Sequence, residues 1–135
     1  CSDMTRTIFL GAPSLEEKIL YERLRVAQEK TIALVAPGVA LAGPDIFCRA
    51  ELKDLNDHFI HGLGHGLGTQ VHEWPGVTAK NTELIEPNMV ITIEPGIYKE
   101  NEFGIRIEDD ILVTDTGNEI LTKSSKELLV FPLPF

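Results

Sequence analysis

Two carboxylates stand where carboxylates are costly. Glu94 closes the apolar run Met89-Val90-Ile91-Thr92-Ile93, and Glu108 lies inside Gly104-Ile105-Arg106-Ile107-Glu108-Asp109-Asp110-Ile111-Leu112-Val113. A charge inside an apolar strand is expensive unless something positive pairs with it. Side chains alternate along a strand, so Val90, Thr92 and Glu94 share one face, and Arg106, Glu108 and Asp110 share one face of the next. If the two strands pair antiparallel, Glu94 and Glu108 point into one cavity. Upstream lies His61-Gly62-Leu63-Gly64-His65-Gly66-Leu67-Gly68, with His72-Glu73 soon after, and Asp3 stands near the start in Ser2-Asp3-Met4-Thr5-Arg6-Thr7. Two strand carboxylates, a histidine and an aspartate make a metal centre the economical explanation. Oxygen-rich ligands with one imidazole suit manganese or cobalt better than a thiolate-type zinc site.

Each piece taken alone has a plainer alternative. Glu108 and Asp110 could form an exposed edge with Arg106 as their ion-pair partner, and Glu94 could be a loop-edge carboxylate before the Pro95-Gly96 turn. A histidine on an apolar stretch is usually a core residue, but two in a glycine run favour a site. His61 and His65 are four apart, which on a helix gives one face, as in helical zinc motifs. Four glycines in eight residues make a helix improbable, at ~1 kcal/mol each. In an extended segment the even spacing still puts both on one side, and the glycines would let backbone approach a cofactor closely. Trp74-Pro75 reads as a rigid apolar wall or, equally well, as a turn with a half-buried tryptophan. Asp3 and Thr5 share a face, where a hydroxyl can orient a carboxylate.

The bulk properties narrow the class. At 135 residues the chain is one domain at most, with enough length to bury a core. Twelve basic against twenty-one acidic residues give 12 − 21 = −9, which excludes nucleic acid as the expected partner. No apolar run approaches the ~20 residues that span a bilayer, so no membrane partner is expected. Cys1 and Cys48 belong to no CxxC pair and read as free thiols in a reducing compartment, which with the lack of a secretory signal points to the cytoplasm. The chain begins with Cys, on what reads as mid-strand, and is expected to be a piece of a longer protein.

The elements that must position these residues follow from pattern. Thr5 to Leu10 reads as a strand, ended by Gly11-Ala12-Pro13. Ser14-Leu15-Glu16-Glu17 is a capping box opening a helix to about Val35, with Leu20, Leu24, Ala27, Thr31 and Leu34 as the buried stripe and Glu22, Arg25 and Glu29 on the solvated face. Pro44 and Asp45 open a second helix through about Leu55, with Ile46, Phe47 and Ala50 on its buried side. Met89 to Glu94 and Ile105 to Thr114 are the strongest strands, joined by a long hairpin connection containing Pro95, Gly96 and Gly104. Gly117 marks a turn before a short strand from Glu119 to Thr122. Strand, helix, helix and then a block of strands is an α+β pattern.

Together, Ser2-Asp3-Met4-Thr5-Arg6-Thr7, the His-Gly run, Val71-His72-Glu73-Trp74-Pro75, Thr92-Ile93-Glu94-Pro95-Gly96-Ile97-Tyr98 and Arg106-Ile107-Glu108-Asp109-Asp110 resemble the pita-bread metallopeptidases, in the Xaa-Pro aminopeptidase and prolidase branch. The resemblance covers nearly the whole chain in order and spacing. It implies an incomplete pita-bread (creatinase/aminopeptidase) fold lacking its N-terminal portion, with residues 1–135 the C-terminal part of a metallopeptidase catalytic domain. It further implies two divalent metal ions, manganese first, with cobalt or zinc as alternatives. Matched by motif, the ligands are Asp3, His65, Glu94 and Glu108. The family's second ligand aspartate precedes the position of Asp3 and falls outside this sequence, so the 135 residues alone are expected to be a poor catalyst. The implied reaction is hydrolysis of the peptide bond before proline by a hydroxide shared between the metals. Glu94 would carry the proton, His61 and His72 would hold the substrate, and Arg106 would hold a ligand carboxylate from behind. The expected substrate is a peptide with proline at its second position, and the expected parent is a homo-oligomer. Two alternatives accompany this reading: an Xaa-Pro dipeptidase (prolidase), and a non-catalytic pita-bread binding module. All four visible ligand positions carry ligand-competent residues, which weighs against the module.

Overall fold

The computed structural model describes residues 1–133. Ser14 starts the first helix as its spacing to Glu17 requires. The Glu17 N–H donates to the Ser14 hydroxyl at 3.2 Å, and the Ser14 N–H donates to the Glu17 carboxylate at 2.7 Å. A short strand, β1 (Ile8–Leu10), precedes this helix, α1 (Leu15–Ile32). α1 buries Leu20, Leu24, Ala27 and Thr31, while Arg25 pairs with Glu22 and Glu29 at 2.5 and 2.7 Å on the outer side. The helix stops short of Val35, and Leu34 is exposed. The Leu34 and Val35 N–H groups bond three residues back, to Thr31 and Ile32, which tightens the last turn before Pro37.

α2 (Ala42–Leu52) begins before Pro44 and passes into a 3-10 turn over Lys53–His58. Its buried residues are Pro44, Asp45, Cys48 and Leu52; Ile46 and Ala50 are exposed and Phe47 is half-buried, opposite to the pattern expectation. The reason is Asp45. Its carboxylate is paired with Arg49 at 2.6 Å and accepts the Ala79 N–H at 2.7 Å, so a polar residue occupies the inner face at little cost. A hydrophobic pattern cannot register such a partner.

The strands that follow are β2 (Gly64–Gly66), β3 (Glu73–Val77), β4 (Val90–Ile93), β5 (Gly96–Lys99), β6 (Phe103–Arg106), β7 (Asp109–Val113), β8 (Asn118–Ile120) and β9 (Leu129–Phe131). The main sheet has the order β3-β2-β4-β7-β8, β5 and β6 form a hairpin, and β1 pairs with β9 in parallel. Of the expected strand from Thr5, only Ile8–Leu10 is regular; Thr5 itself makes an isolated bridge to Glu108.

One register runs through the two strongest strands. Thr92 faces Asp110 and Ile93 faces Asp109; beyond a bend, Gly96 faces Arg106 and Ile97 faces Ile105. The Ile107 N–H reaches the Pro95 carbonyl at 3.4 Å within that bend. The expected connection is therefore itself paired, and the expected strand from Ile105 is interrupted at Ile107-Glu108. Proline has no N–H to continue a ladder, so the ribbon kinks where Pro95 sits. The tip of the hairpin turns at Asn101, with φ 61°. Ile91, Ile93, Ile97, Ile105, Ile107 and Ile111 are buried with Leu24, Leu52 and Leu63 in one core. Asp109 meets Gln28 of α1, so Asp109 points to the helix side. By alternation its neighbours Glu108 and Asp110 point to the other face.

Candidate metal centre

β2 threads between β3 and β4 at a spacing that only glycine permits. A Cβ on Gly64 would run into the Thr92 carbonyl, and one on Gly66 into the Trp74 carbonyl. The glycines thus serve strand packing. His65 stands between them. Its N–H donates to the Thr92 hydroxyl at 3.1 Å, and its Nδ1 lies 3.0 Å from the Gly66 carbonyl. A carbonyl only accepts, so Nδ1 carries a proton there and Nε2 is the nitrogen turned to the acidic cluster. That Nε2 is 3.2 Å from Glu94 Oε1 and 3.7 Å from Asp3 Oδ2.

The continuing register places Glu94 across from Glu108, on the same face of the ribbon. One ligand atom each from His65, Glu94 and Glu108 lie within 4.8 Å of one another, as do one each from Asp3, His65 and His72. Glu108 is 1% exposed and Asp110 6%, which removes the exposed-edge alternative. The Thr5 hydroxyl donates to Glu108 Oε2 and accepts from Arg106 Nε at 2.9 Å; Arg106 Nε is itself 3.8 Å from that carboxylate. Thr5 therefore orients Glu108, not Asp3. The Asp3 N–H donates to Asp110 Oδ2 at 3.1 Å.

Among the described residues the carboxylates of the cluster outnumber the one guanidinium beside them, Arg106 at 3.8 Å from Glu108. Burial pushes the Glu108 carboxyl above its ordinary value, and the charges of Glu94 and Asp3 push it further against the Thr5 hydrogen bond. Burial raises Asp110 as well, with Asp3 and Asp109 adding to it. Asp110 Oδ1 is buried without a hydrogen-bond partner among the described residues. Oxygen-rich donors, one imidazole nitrogen and an excess of carboxylates over cations fit a divalent ion.

The other expected site residues are placed differently. His72 is exposed at the rim, its ring centroid 4.3 Å from that of His65. His61 stands outside both ligand groups. Its Nδ1 is 2.7 Å from the Gly62 carbonyl and its Nε2 is 2.9 Å from the Tyr98 hydroxyl, so neither nitrogen is free. Trp74 is 66% exposed in β3 and forms no wall. Two polar neighbours of the site were not singled out as site residues, Thr92 and Tyr98. Both share the parity of Glu94 along the chain, and the Thr92 hydroxyl donates to Glu94 Oε1 at 3.2 Å. Alternation was the signal that could have found them.

The sequence pattern of metallopeptidase family M24 matches residues 1–115. The chain belongs to this family. It is 42% identical over 130 residues to the Xaa-Pro dipeptidase of Pyrococcus furiosus, covering 95% of this chain and 37% of that relative. Among solved structures, the recombinant prolidase from Thermococcus sibiricus superposes with a TM-score of 0.94 at 41% identity, over 97% of this chain and 36% of that one. The X-Pro aminopeptidase from Thermotoga maritima MSB8 gives 0.93 at 38% identity, over 97% of this chain and 38% of that one. The chain thus spans just over a third of the length of these M24 relatives, and its α+β architecture is an incomplete pita-bread fold. Among the described residues, no helix is long and apolar enough to cross a membrane.

Proposed function

We propose that these residues are the C-terminal part of the catalytic domain of a cytoplasmic Xaa-Pro aminopeptidase, which hydrolyses the bond between an N-terminal residue and a proline at the second position. One observation carries this reading: Asp3, His65, Glu94 and Glu108 come from four separate chain segments, with His65 shared between a group that includes Asp3 and a group that includes Glu94 and Glu108. These four would hold the divalent ions, with manganese the best match and cobalt or zinc as alternatives. When bound, such ions acidify water and polarise a carbonyl.

The chain's own groups do the rest. Glu94 is partly exposed at the cavity mouth, so its free oxygen can take the proton of the attacking water and pass it to the leaving proline nitrogen. His72 stands at the rim, where an N–H can meet the scissile carbonyl. His61 would serve the substrate from its Nε2, which here meets the Tyr98 hydroxyl at 2.9 Å. Arg106 and Thr5 hold Glu108 in place.

The dipeptidase reading stays as the second, because the Pyrococcus and Thermococcus relatives carry that name. The test is to supply the full-length protein that carries these residues with Mn²⁺ and offer it an Xaa-Pro dipeptide and an Xaa-Pro-Xaa tripeptide. Release of the N-terminal residue from the tripeptide, lost on chelation, is the expected result. Cleavage of the dipeptide alone selects the second reading. A protein that holds Mn²⁺ and cleaves neither overturns both.

A further inference from the structure

Behind the ligand face, one guanidinium ties together the chain segments on which that face depends. Arg6 uses all of its donors. Nη1 donates to the carbonyls of Thr5 at 2.9 Å and Glu108 at 2.6 Å. Nη2 donates to Asp109 Oδ1 at 2.6 Å and the Ser124 carbonyl at 2.9 Å, and Nε to the Ser125 carbonyl at 2.9 Å. The Arg6 side chain is 9% exposed and that of Asp109 is fully buried. The second Asp109 oxygen is held by Gln28 Nε2 and Lys126 Nζ, both at 2.9 Å.

The segment carrying Asp3 needs such a hold. It is not a regular strand; its pairing with the neighbouring chain is one bridge, the Glu108 N–H to the Thr5 carbonyl at 3.1 Å. Alternation puts Asp3 and Thr5 on the ligand face and Arg6 on the opposite face, beside Asp109. The separation of the Asp3 and Glu108 carboxylates is therefore set from both sides of the sheet.

We infer that Arg6, braced by Asp109, is a positioning residue for the metal centre: it locks the segment bearing Asp3 against the strand bearing Glu108, so that metal affinity depends on a buried ion pair on the far face. The inference rests on the metal reading of the site. Lysine keeps the charge but offers a compact ammonium with three donors, which cannot span the five acceptors that the guanidinium joins. Arg49 provides a matched control. It also grips backbone, at the Phe59 carbonyl (2.9 Å) and the His61 carbonyl (2.6 Å), and it pairs with a buried aspartate, but it holds neither the Asp3 nor the Glu108 segment.

The experiment is calorimetric titration of Mn²⁺ and Co²⁺ into the purified protein and its Arg6→Lys, Asp109→Asn and Arg49→Lys variants, with thermal melts and the visible absorption of bound Co²⁺. Arg6→Lys and Asp109→Asn should each weaken Mn²⁺ binding about tenfold or more and shift the Co²⁺ bands, while Arg49→Lys stays within about twofold at a comparable loss of melting temperature. A folded Arg6→Lys or Asp109→Asn protein that binds Mn²⁺ as the parent does overturns the inference and leaves the metal reading standing. Equal weakening in Arg49→Lys overturns it too, because general loosening then suffices. A parent protein that takes up neither ion overturns the metal reading and the inference with it.

Discussion

Replacing Glu108 by glutamine should stabilise the metal-free protein and remove most of its stabilisation by metal. Ligand oxygens of Glu94 and Glu108 lie within 4.8 Å of each other. Unit charges at that separation repel by roughly 3 kcal/mol at an effective dielectric of about 20. Arg106 opposes this from 3.8 Å, but its side chain is 41% exposed, so solvent screens much of its attraction. The Thr5 hydroxyl donates to Glu108, and a glutamine carbonyl accepts the same bond. The net gain for Glu108→Gln without metal is then on the order of 1–2 kcal/mol, or roughly 3–8 °C in melting temperature. The pH dependence has a definite sign. Burial, with Glu94 and Asp3 behind it, raises the folded Glu108 carboxyl above its ordinary 4.5. A group raised in the folded state costs nothing below its unfolded value and destabilises as pH climbs through the folded value. The gap between variant and parent is therefore closed near pH 4 and widens with pH. Metal reverses the order: an ion at a hundredfold its Kd stabilises the parent by about 2.7 kcal/mol, and the variant by less. Thermal melts from pH 4 to 8, in chelator and in Mn²⁺, read all of this. A variant that melts below the parent in chelator at pH 7, or a gap that narrows as pH rises, refutes the reasoning.

His65→Ala should abolish Mn²⁺ uptake while His61→Ala retains it, measured by metal analysis after dialysis, since His65 Nε2 faces the Asp3 and Glu94 carboxylates while the His61 nitrogens meet Gly62 and Tyr98. Gly64→Ala drives a methyl into the Thr92 carbonyl and should cost about 3 kcal/mol in urea unfolding, the upper end of ordinary overpacking. Lys126→Met takes one of three partners from Asp109; burial pushes that carboxyl up, but Gln28, Lys126 and Arg6 together hold it below its ordinary 3.8. Its stabilising contribution is present above that value and lost as pH falls through the depressed one, so the variant should lose about 1–3 kcal/mol at pH 7 and less at pH 2–3. Burial pushes the Cys48 thiol up to about 12, so a thiol reagent at pH 8 should label Cys1 at once and Cys48 only on unfolding.

Local chemistry made much of this chain legible. The Ser14–Glu17 capping box, the Leu20–Leu24–Ala27 stripe and the alternation of Thr92, Glu94, Arg106 and Glu108 are short-range patterns, and the structure repeats them because each is satisfied within a few residues. The order and spacing of the motifs were also enough to place the chain in its family. What depended on partners distant in sequence could not be read. Asp45 faces inward because the Ala79 N–H, 34 residues away, meets it there beside Arg49 of its own helix. The glycines of β2 are there for the carbonyls of Thr92 and Trp74, which approach from two other strands. His61 and His65 look alike in the run, yet only the fold decides that Tyr98 occupies one ring and the Asp3–Glu94 cavity receives the other. Sequence sets which groups are available and which way neighbours alternate; tertiary packing sets which charges lie within a few ångströms, and interaction energies depend on that distance.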